Sequence, residues 1–407
     1  MEELLTSRPR RSAKIGHKKS RNGCKMCKGR RVKSPGSGLF LAKRHIHHQT
    51  ITLTGPGKPL GKYYALLKPD ADQQMYAFPD DQEDVDMPES KERRLLEHRL
   101  MQNYIQHVAQ PFPLSPNKEW HDLFSSIIPK LALSHDNMLY SLLTVSASRL
   151  LLDDPDDRAL YSARQRYLIL AMREQRNMIE RLSAETADAV CFTSLLLLLN
   201  SFSMLRDRIL EPYTPPLEYL HIGRGAGTVI WLSVEAATKS GDFEKSNMYV
   251  VAKSYPRFGE DESYFSPEMR KDFEGILTQA LPSSETWDDT TREAYEKTLS
   301  YVGSIHHAIR IGEPRYAVGR RIQAFSLLMP SKFISFLEEQ RPRALVVLAH
   351  FFAAVVQMHD IWWLGEDKDG RESTAKREIR AISKVVRETC PEWQPLLVYP
   401  LDMVGLR

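Results

Sequence analysis

Four cysteines in 407 residues, Cys24, Cys27, Cys191 and Cys390, are too few and too unevenly placed for a disulfide framework. A reducing intracellular compartment is therefore expected. No signal-type apolar stretch opens the chain, and its basic start lacks the amphipathic run of a transit peptide. The longest apolar run, Leu195 to Leu199 within Ala189 to Leu205, is broken by Thr193, Ser194, Asn200, Ser201 and Ser203. It falls short of the roughly 20 apolar residues a membrane span needs, so a buried core helix is expected there. There is no nucleophile elbow, no H-E-x-x-H helix and no G-x-x-x-x-G-K-S/T loop, which leaves an enzymatic role without support. Convincing strand alternation is also missing.

Composition, 42% hydrophobic and 27% charged, is that of a globular protein and excludes a collagenous or wholly disordered chain. Charge is distributed unevenly. From Arg8 to Lys33 twelve basic residues, Arg8, Arg10, Arg11, Lys14, Lys18, Lys19, Arg21, Lys25, Lys28, Arg30, Arg31 and Lys33, meet no acidic one. Such a run binds polyanions or directs nuclear import, and charge alone does not distinguish DNA from RNA or an anionic membrane. Three regions follow: a basic head over 1–33, a linker over 34–90, and a helical domain over 91–407. The linker is expected to have little order, because its glycines and prolines (Pro35, Gly36, Gly38, Gly55 to Gly61) and its acidic run Asp80 to Glu89 bury too little apolar surface to offset ordering entropy.

From Lys91 onward the pattern is helical, and the expected fold class is all-α. Leu96, Leu100, Tyr104 and Val108 recur every four residues, with Leu95, Met101 and Ile105 widening the face. A second helix is expected from Asn137, as N-cap, to Leu152, and a third from Asp157 to about Leu182. Glu185 to Leu205 is apolar on most faces and should lie centrally; Pro212, Pro215 and Pro216 mark a loop. Nearer the C-terminus, Ser331 caps a short helix facing Phe333, Phe336 and Leu337 inward, and Pro342 opens Arg343 to Asp360. Ile379, Ile382, Val385 and Val386 form a last apolar face. Met248 to Ala252 and Leu397 to Tyr399 are the only strand candidates, and Gly223 to Gly227 reads as a helix junction rather than a phosphate loop. The pairs His306-His307 and His135-Asp136 are set aside as catalytic candidates, since adjacent helical residues face different ways.

One stretch carries specific chemistry: Lys18-Lys19-Ser20-Arg21-Asn22-Gly23-Cys24-Lys25-Met26-Cys27-Lys28-Gly29-Arg30-Arg31-Val32-Lys33. Two thiolates at C-x-x-C spacing can ligate one zinc ion, and the following basic residues would lie on the short helix such a site nucleates. The competing redox use of C-x-x-C requires a βαβ context that the sequence lacks. With its flanks the stretch closely resembles the fungal binuclear zinc-cluster family, C-x2-C-x6-C, a loop, then C-x2-C-x6–8-C, in which six cysteines share two zinc ions. The resemblance implies zinc as cofactor with Cys24 and Cys27 as ligands, and double-stranded DNA as partner. It assigns Arg30 and Arg31 to base edges, Lys25, Lys28 and Lys33 to the DNA-binding surface with Lys28 and Lys33 on phosphates, and the chain to the nucleus.

The pattern stops at its third cysteine, where Ser34 stands, and no cysteine follows until Cys191. A neutral hydroxyl does not supply the thiolate charge zinc requires. Two of His45, His47 and His48 could complete a tetrahedral set with Cys24 and Cys27, but their spacing matches no zinc finger. An altered reading after Lys33, such as a retained intron or misassigned exon junction, accounts for a resemblance lost at one residue; sequencing the transcript from Arg30 to Asp80 tests it, and an uninterrupted match would overturn it.

The helical region is similar to the regulatory domains of fungal zinc-cluster factors of the sterol-uptake-regulator type. Arg343 to Ala353, Ile361-Trp362-Trp363-Leu364-Gly365, Glu392-Trp393-Gln394-Pro395 and Asn137 to Leu152 carry that similarity. It implies a domain for dimerisation, as a homodimer, or for sensing a small hydrophobic ligand such as a sterol. Trp362 and Trp363 could line an apolar pocket, although paired aromatics at a helix end more often pack in a core. Two readings therefore stand: a sequence-specific transcription regulator, and an interaction protein that has lost specific DNA binding.

Overall fold

The computed structural model describes residues 90–109, 118–258, 262–280, 286–359, 361–365 and 371–405. Among them every regular element is helical, as the sequence pattern predicts, and no strand forms. The basic head and nearly all of the linker lie outside the described residues.

Helix α1, Lys91–Asn103, starts where the Ser90 hydroxyl accepts the Arg93 N–H at 3.1 Å, and it continues through a π-helical segment, Tyr104–Val108. Leu100, Tyr104 and Val108 are buried, while Leu95 and Ile105 remain 59% and 49% exposed. Five residues separate each of these two from Leu100, which at 3.6 residues per turn places them about 140° off the buried row. The apolar face is thus narrower than the pattern suggested. Helices α2, Lys118–Asp122, and α3, Ile128–Ala132, are joined by a second π-helical segment, Leu123–Ile127.

Helix α4 spans Asp136–Leu150 and packs along α5, Arg158–Glu180, and α6, Ala187–Ser203. Asn137 is not its N-cap. That side chain is wholly buried inside the helix, and its amide donates to Gln175 Oε1 of α5 at 2.8 Å. Similar buried polar contacts tie α4 to its other neighbours: Asn103 donates to Ser146 Oγ at 2.8 Å, and Ser148 donates to Asn200 Oδ1 at 2.6 Å. Small hydroxyl side chains let these helices approach closely, and the Asn137, Asn103 and Ser148 donors all find acceptors, as burial favours. Asp157 caps α5 as expected, accepting the Ala159 and Leu160 N–H groups at 2.9 and 3.0 Å.

The segment Ala187–Asp207 is long and apolar enough to cross a membrane, but 78% of its most apolar window is buried inside the fold, so it serves as the core helix expected. It leads through a loop at Pro212, Pro215 and Pro216 to α7, Leu217–Lys239. Gly223 to Gly227 lie in the middle of α7 rather than at a junction. Gly223 is needed there, because a Cβ on it would stand 2.2 Å from Ser326 Oγ on α11, Arg315–Leu328, which crosses at that point.

The strand candidate Met248 to Ala252 is instead helix α8, Met248–Ala252. The Asp188 carboxylate, from the start of α6, accepts the Asn247 and Met248 N–H groups at 2.9 and 3.0 Å, capping a segment too short to be helical alone. A short helix α9, Glu274–Thr278, precedes α10, Asp289–Arg310, which Asp288 caps through the Thr291 N–H at 2.6 Å. After α11 comes α12, Ser331–Glu338, with Phe333, Phe336 and Leu337 buried as predicted. Ser331 is its first helical residue, and Pro330 occupies the N-cap position.

Pro342 opens α13, Pro342–Val356, which ends four residues before the expected Asp360. This helix is the centre of the C-terminal half, for every residue from Ala344 to Ala349 is at most 1% exposed or fully buried. Helix α14, Thr374–Thr389, buries Ile379, Ile382 and Val386 against it. The second strand candidate, Leu397 to Tyr399, ends a 3-10 segment and begins α15, Val398–Met403. Trp363 is 1% exposed and meets Phe202 edge-on at 5.4 Å between ring centroids, a core role, while Trp362 is half-buried.

Candidate functional site

Cys24 and Cys27, with Lys25, Lys28, Arg30, Arg31 and Lys33, lie outside the described residues, as do His45, His47 and His48. Among the described residues no three His, Cys, Asp or Glu side chains converge on a possible metal position. Cys191 and Cys390 are buried free thiols, and burial pushes both above the usual thiol range, so neither resembles a zinc-ready thiolate. The donor set therefore stands at two of the six cysteines that a binuclear cluster uses.

The histidine pairs do not form catalytic sites either. His306 Nε2 contacts the His350 carbonyl and His350 Nε2 the Leu396 carbonyl, each at 2.9 Å. Both imidazoles are held under α15 by ring contacts with Tyr399 and Phe273. Burial lowers the pKa of both, that of His350 to about 4.

One concave site among the described residues lies between α2, α6, α8 and α11. Trp120 and Phe124 stack with centroids 5.3 Å apart and form one wall. Leu195, Leu196 and Leu199 of α6 form the floor, and Val251 and Phe258 close another side. From α11 come Arg320, Gln323, Ala324 and Leu327, one face at helical spacing. The enclosed cavity measures about 50 Å³.

Arg320 fastens this wall. Its guanidinium donates to the carbonyls of Val251 at 3.0 Å and of Ser254 and Tyr255 at 2.8 Å, satisfying acceptors at the end of α8. It lies 4.9 Å from the Trp120 ring centroid and 5.6 Å from that of Phe258. Trp120 Nε1 donates to Ser254 Oγ at 2.5 Å. Gln323, by contrast, is half-buried and makes no hydrogen bond among the described residues. The lining holds no nucleophile and no carboxylate. Sequence reading missed it because its walls come from four segments far apart in the chain; the row Arg320, Gln323, Ala324, Leu327 was its one local signal.

A profile of the fungal specific transcription factor domain matches residues 99–209, which span α4, α5 and α6. The Zn(2)-C6 fungal-type transcription factor afumD of Aspergillus fumigatus is 28% identical over 346 residues, 84% of this chain and 87% of that protein. A Zn(2)-C6 fungal-type transcription factor of Gibberella zeae is 25% identical over 335 residues, 77% of this chain and 62% of its own length. Over most of its length the chain is therefore similar to Zn(2)-C6 fungal-type transcription factors. The matched domain and both relatives are named as transcription factors, not as enzymes. The matched region includes the α4–α5–α6 layer, the cavity wall formed by Trp120 and Phe124, and its floor, Leu195, Leu196 and Leu199.

Proposed function

We propose that the protein is a nuclear regulator of RNA polymerase II genes. Its basic head, 1–33, contacts duplex DNA, Cys24 and Cys27 hold zinc, and its helical domain, 91–407, senses a ligand or mediates dimerisation. The observation that carries this reading is the stretch Lys18 to Lys33, a C-x-x-C pair with Arg30 and Arg31 behind it, in a chain whose residues 99–209 match a transcription-factor domain. Arginine reads guanine through its planar fork, and Lys28 and Lys33 add sequence-blind attraction to phosphate. The cavity constrains the ligand. A sterol needs a site of the order of the ~300–1,000 Å³ usual for organic ligands, well above the roughly 50 Å³ of the cavity beside Arg320.

Ser34 favours a second reading, in which the protein retains the helical domain as an interaction module and has lost sequence-specific DNA binding. Metal analysis and duplex binding on the full chain separate the two. The first reading expects bound zinc that Cys24→Ser removes, and binding whose sequence preference survives physiological salt and weakens by about 1–3 kcal/mol on Arg30→Ala or Arg31→Ala. Zinc-free protein with salt-labile, sequence-blind binding would establish the second.

A further inference from the structure

The geometry points to the cavity beside Gln323 as the binding site of a small neutral organic molecule, an apolar body carrying one hydrogen-bonding atom. This rests on the reading of the helical domain as ligand-sensing and gives that reading a place and a chemistry.

Three properties of the cavity define the occupant. Its size comes from the volume of about 50 Å³. One water occupies about 10–15 Å³ by that measure, so the space takes roughly four water-sized groups, the scale of a short branched ketone or alcohol. Its charge comes from the lining. Arg320 disfavours a cation, no carboxylate lines the wall to attract one, and an anion would have to draw the guanidinium away from the carbonyls of Val251, Ser254 and Tyr255. Its polarity comes from Gln323, whose amide lies on an otherwise apolar wall with no hydrogen bond among the described residues. A ligand oxygen reaching that half-buried amide gains a hydrogen bond that an isosteric hydrocarbon cannot make. An occupant also bridges segments from residue 120 to residue 327, so its binding stabilises the packing of α2 and α6 against α11.

The test uses the full chain and an isosteric pair, butan-2-one and 2-methylbut-1-ene, with propanoate as the anionic comparison. Trp120 in the wall gives a fluorescence readout, and the melting temperature gives a second. Butan-2-one is expected to bind saturably and raise the melting temperature, and propanoate to do neither. Ala324→Leu, which fills the cavity, should abolish the response. Gln323→Leu should weaken butan-2-one at least tenfold while leaving 2-methylbut-1-ene unchanged; being half-buried, this position decides the matter even if Ala324→Leu does not fold. No saturable response to butan-2-one, a response that survives Ala324→Leu in folded protein, or an unaltered ketone preference in Gln323→Leu would each overturn the assignment. Binding that meets these criteria without altering DNA affinity would leave the site standing and refute the ligand-sensing reading.

Discussion

Buried ionisable side chains show most directly what this fold asks of individual residues. Arg321 and Glu313 are 4% and 11% exposed and form a two-pronged pair at 2.8 and 3.0 Å, with Tyr255 donating to Glu313 at 2.7 Å and the Tyr264 ring 4.4 Å from the guanidinium. Glu313→Ala leaves the cation in place without its carboxylate, so a loss of about 3–5 kcal/mol is expected in urea unfolding. Loss below 1 kcal/mol would show that Tyr264 and the surrounding carbonyls suffice. His350 makes a pH-dependent contribution. Its Nδ1 is buried without a partner, and its pKa falls from 6.5 to about 4, chiefly through burial, with His306 adding to the effect. Below about pH 6.5 the unfolded imidazole takes a proton that the folded one refuses until about pH 4. Stability from this residue is therefore complete above pH 6.5 and is lost as pH falls, by about 3 kcal/mol at the bottom of the window. Comparing wild type with His350→Phe between pH 7 and pH 4 isolates the term; parallel curves would exclude it.

Helices differ in how plainly their residues announce them. Asp157 and Pro342 act as their positions suggest, because a cap or a first-turn proline is a local device. Asn137 and Ser331 have the same chemistry but other employment, decided by neighbours: Gln175 takes the Asn137 amide, and Pro330 precedes Ser331 at the helix start. Met248 to Ala252 reads as strand by its valines and becomes helix because Asp188, sixty residues upstream of Met248, caps it. The glycines make the same point. Gly303, in α10, has the Met269 carbonyl oxygen 1.9 Å from where a Cβ would sit, whereas Gly225, in α7, has nothing within 4 Å. Gly225→Ala should raise stability by up to about 1 kcal/mol through helix propensity alone. At Gly303 the same gain is opposed by a backbone clash, and overpacking of this kind costs about 1–3 kcal/mol or more. Thermal unfolding should thus move in opposite directions for the two variants, and a stabilised Gly303→Ala would contradict the close approach of that carbonyl.

For the whole molecule, two buried helices organise the described chain: α6 in the N-terminal half and α13 in the C-terminal half, joined through α7, α10 and α11. The all-α class was visible in periodicity, and the likeness to zinc-cluster transcription factors in sixteen residues around Cys24 and Cys27, but the cavity was not, because no local pattern records which distant side chains will meet. The Ser90 cap sits at the start of this assembly, and the buried apolar residues begin at Leu100. A fragment of residues 90–407 should therefore fold with the helical content and urea midpoint of the full chain. Removing α1 as well, in a fragment of residues 110–407, strips Leu100, Tyr104 and Val108 from the core and leaves Ser146 without Asn103. Each lost apolar side chain is worth about 1.5–3 kcal/mol, so that fragment should be several kcal/mol less stable or fail to fold. The same pair of fragments bears on function. If the basic head makes the DNA contacts, residues 90–407 retain butan-2-one binding at Gln323 and lose duplex binding entirely, and a fragment that still bound DNA would move the interface onto the helical domain.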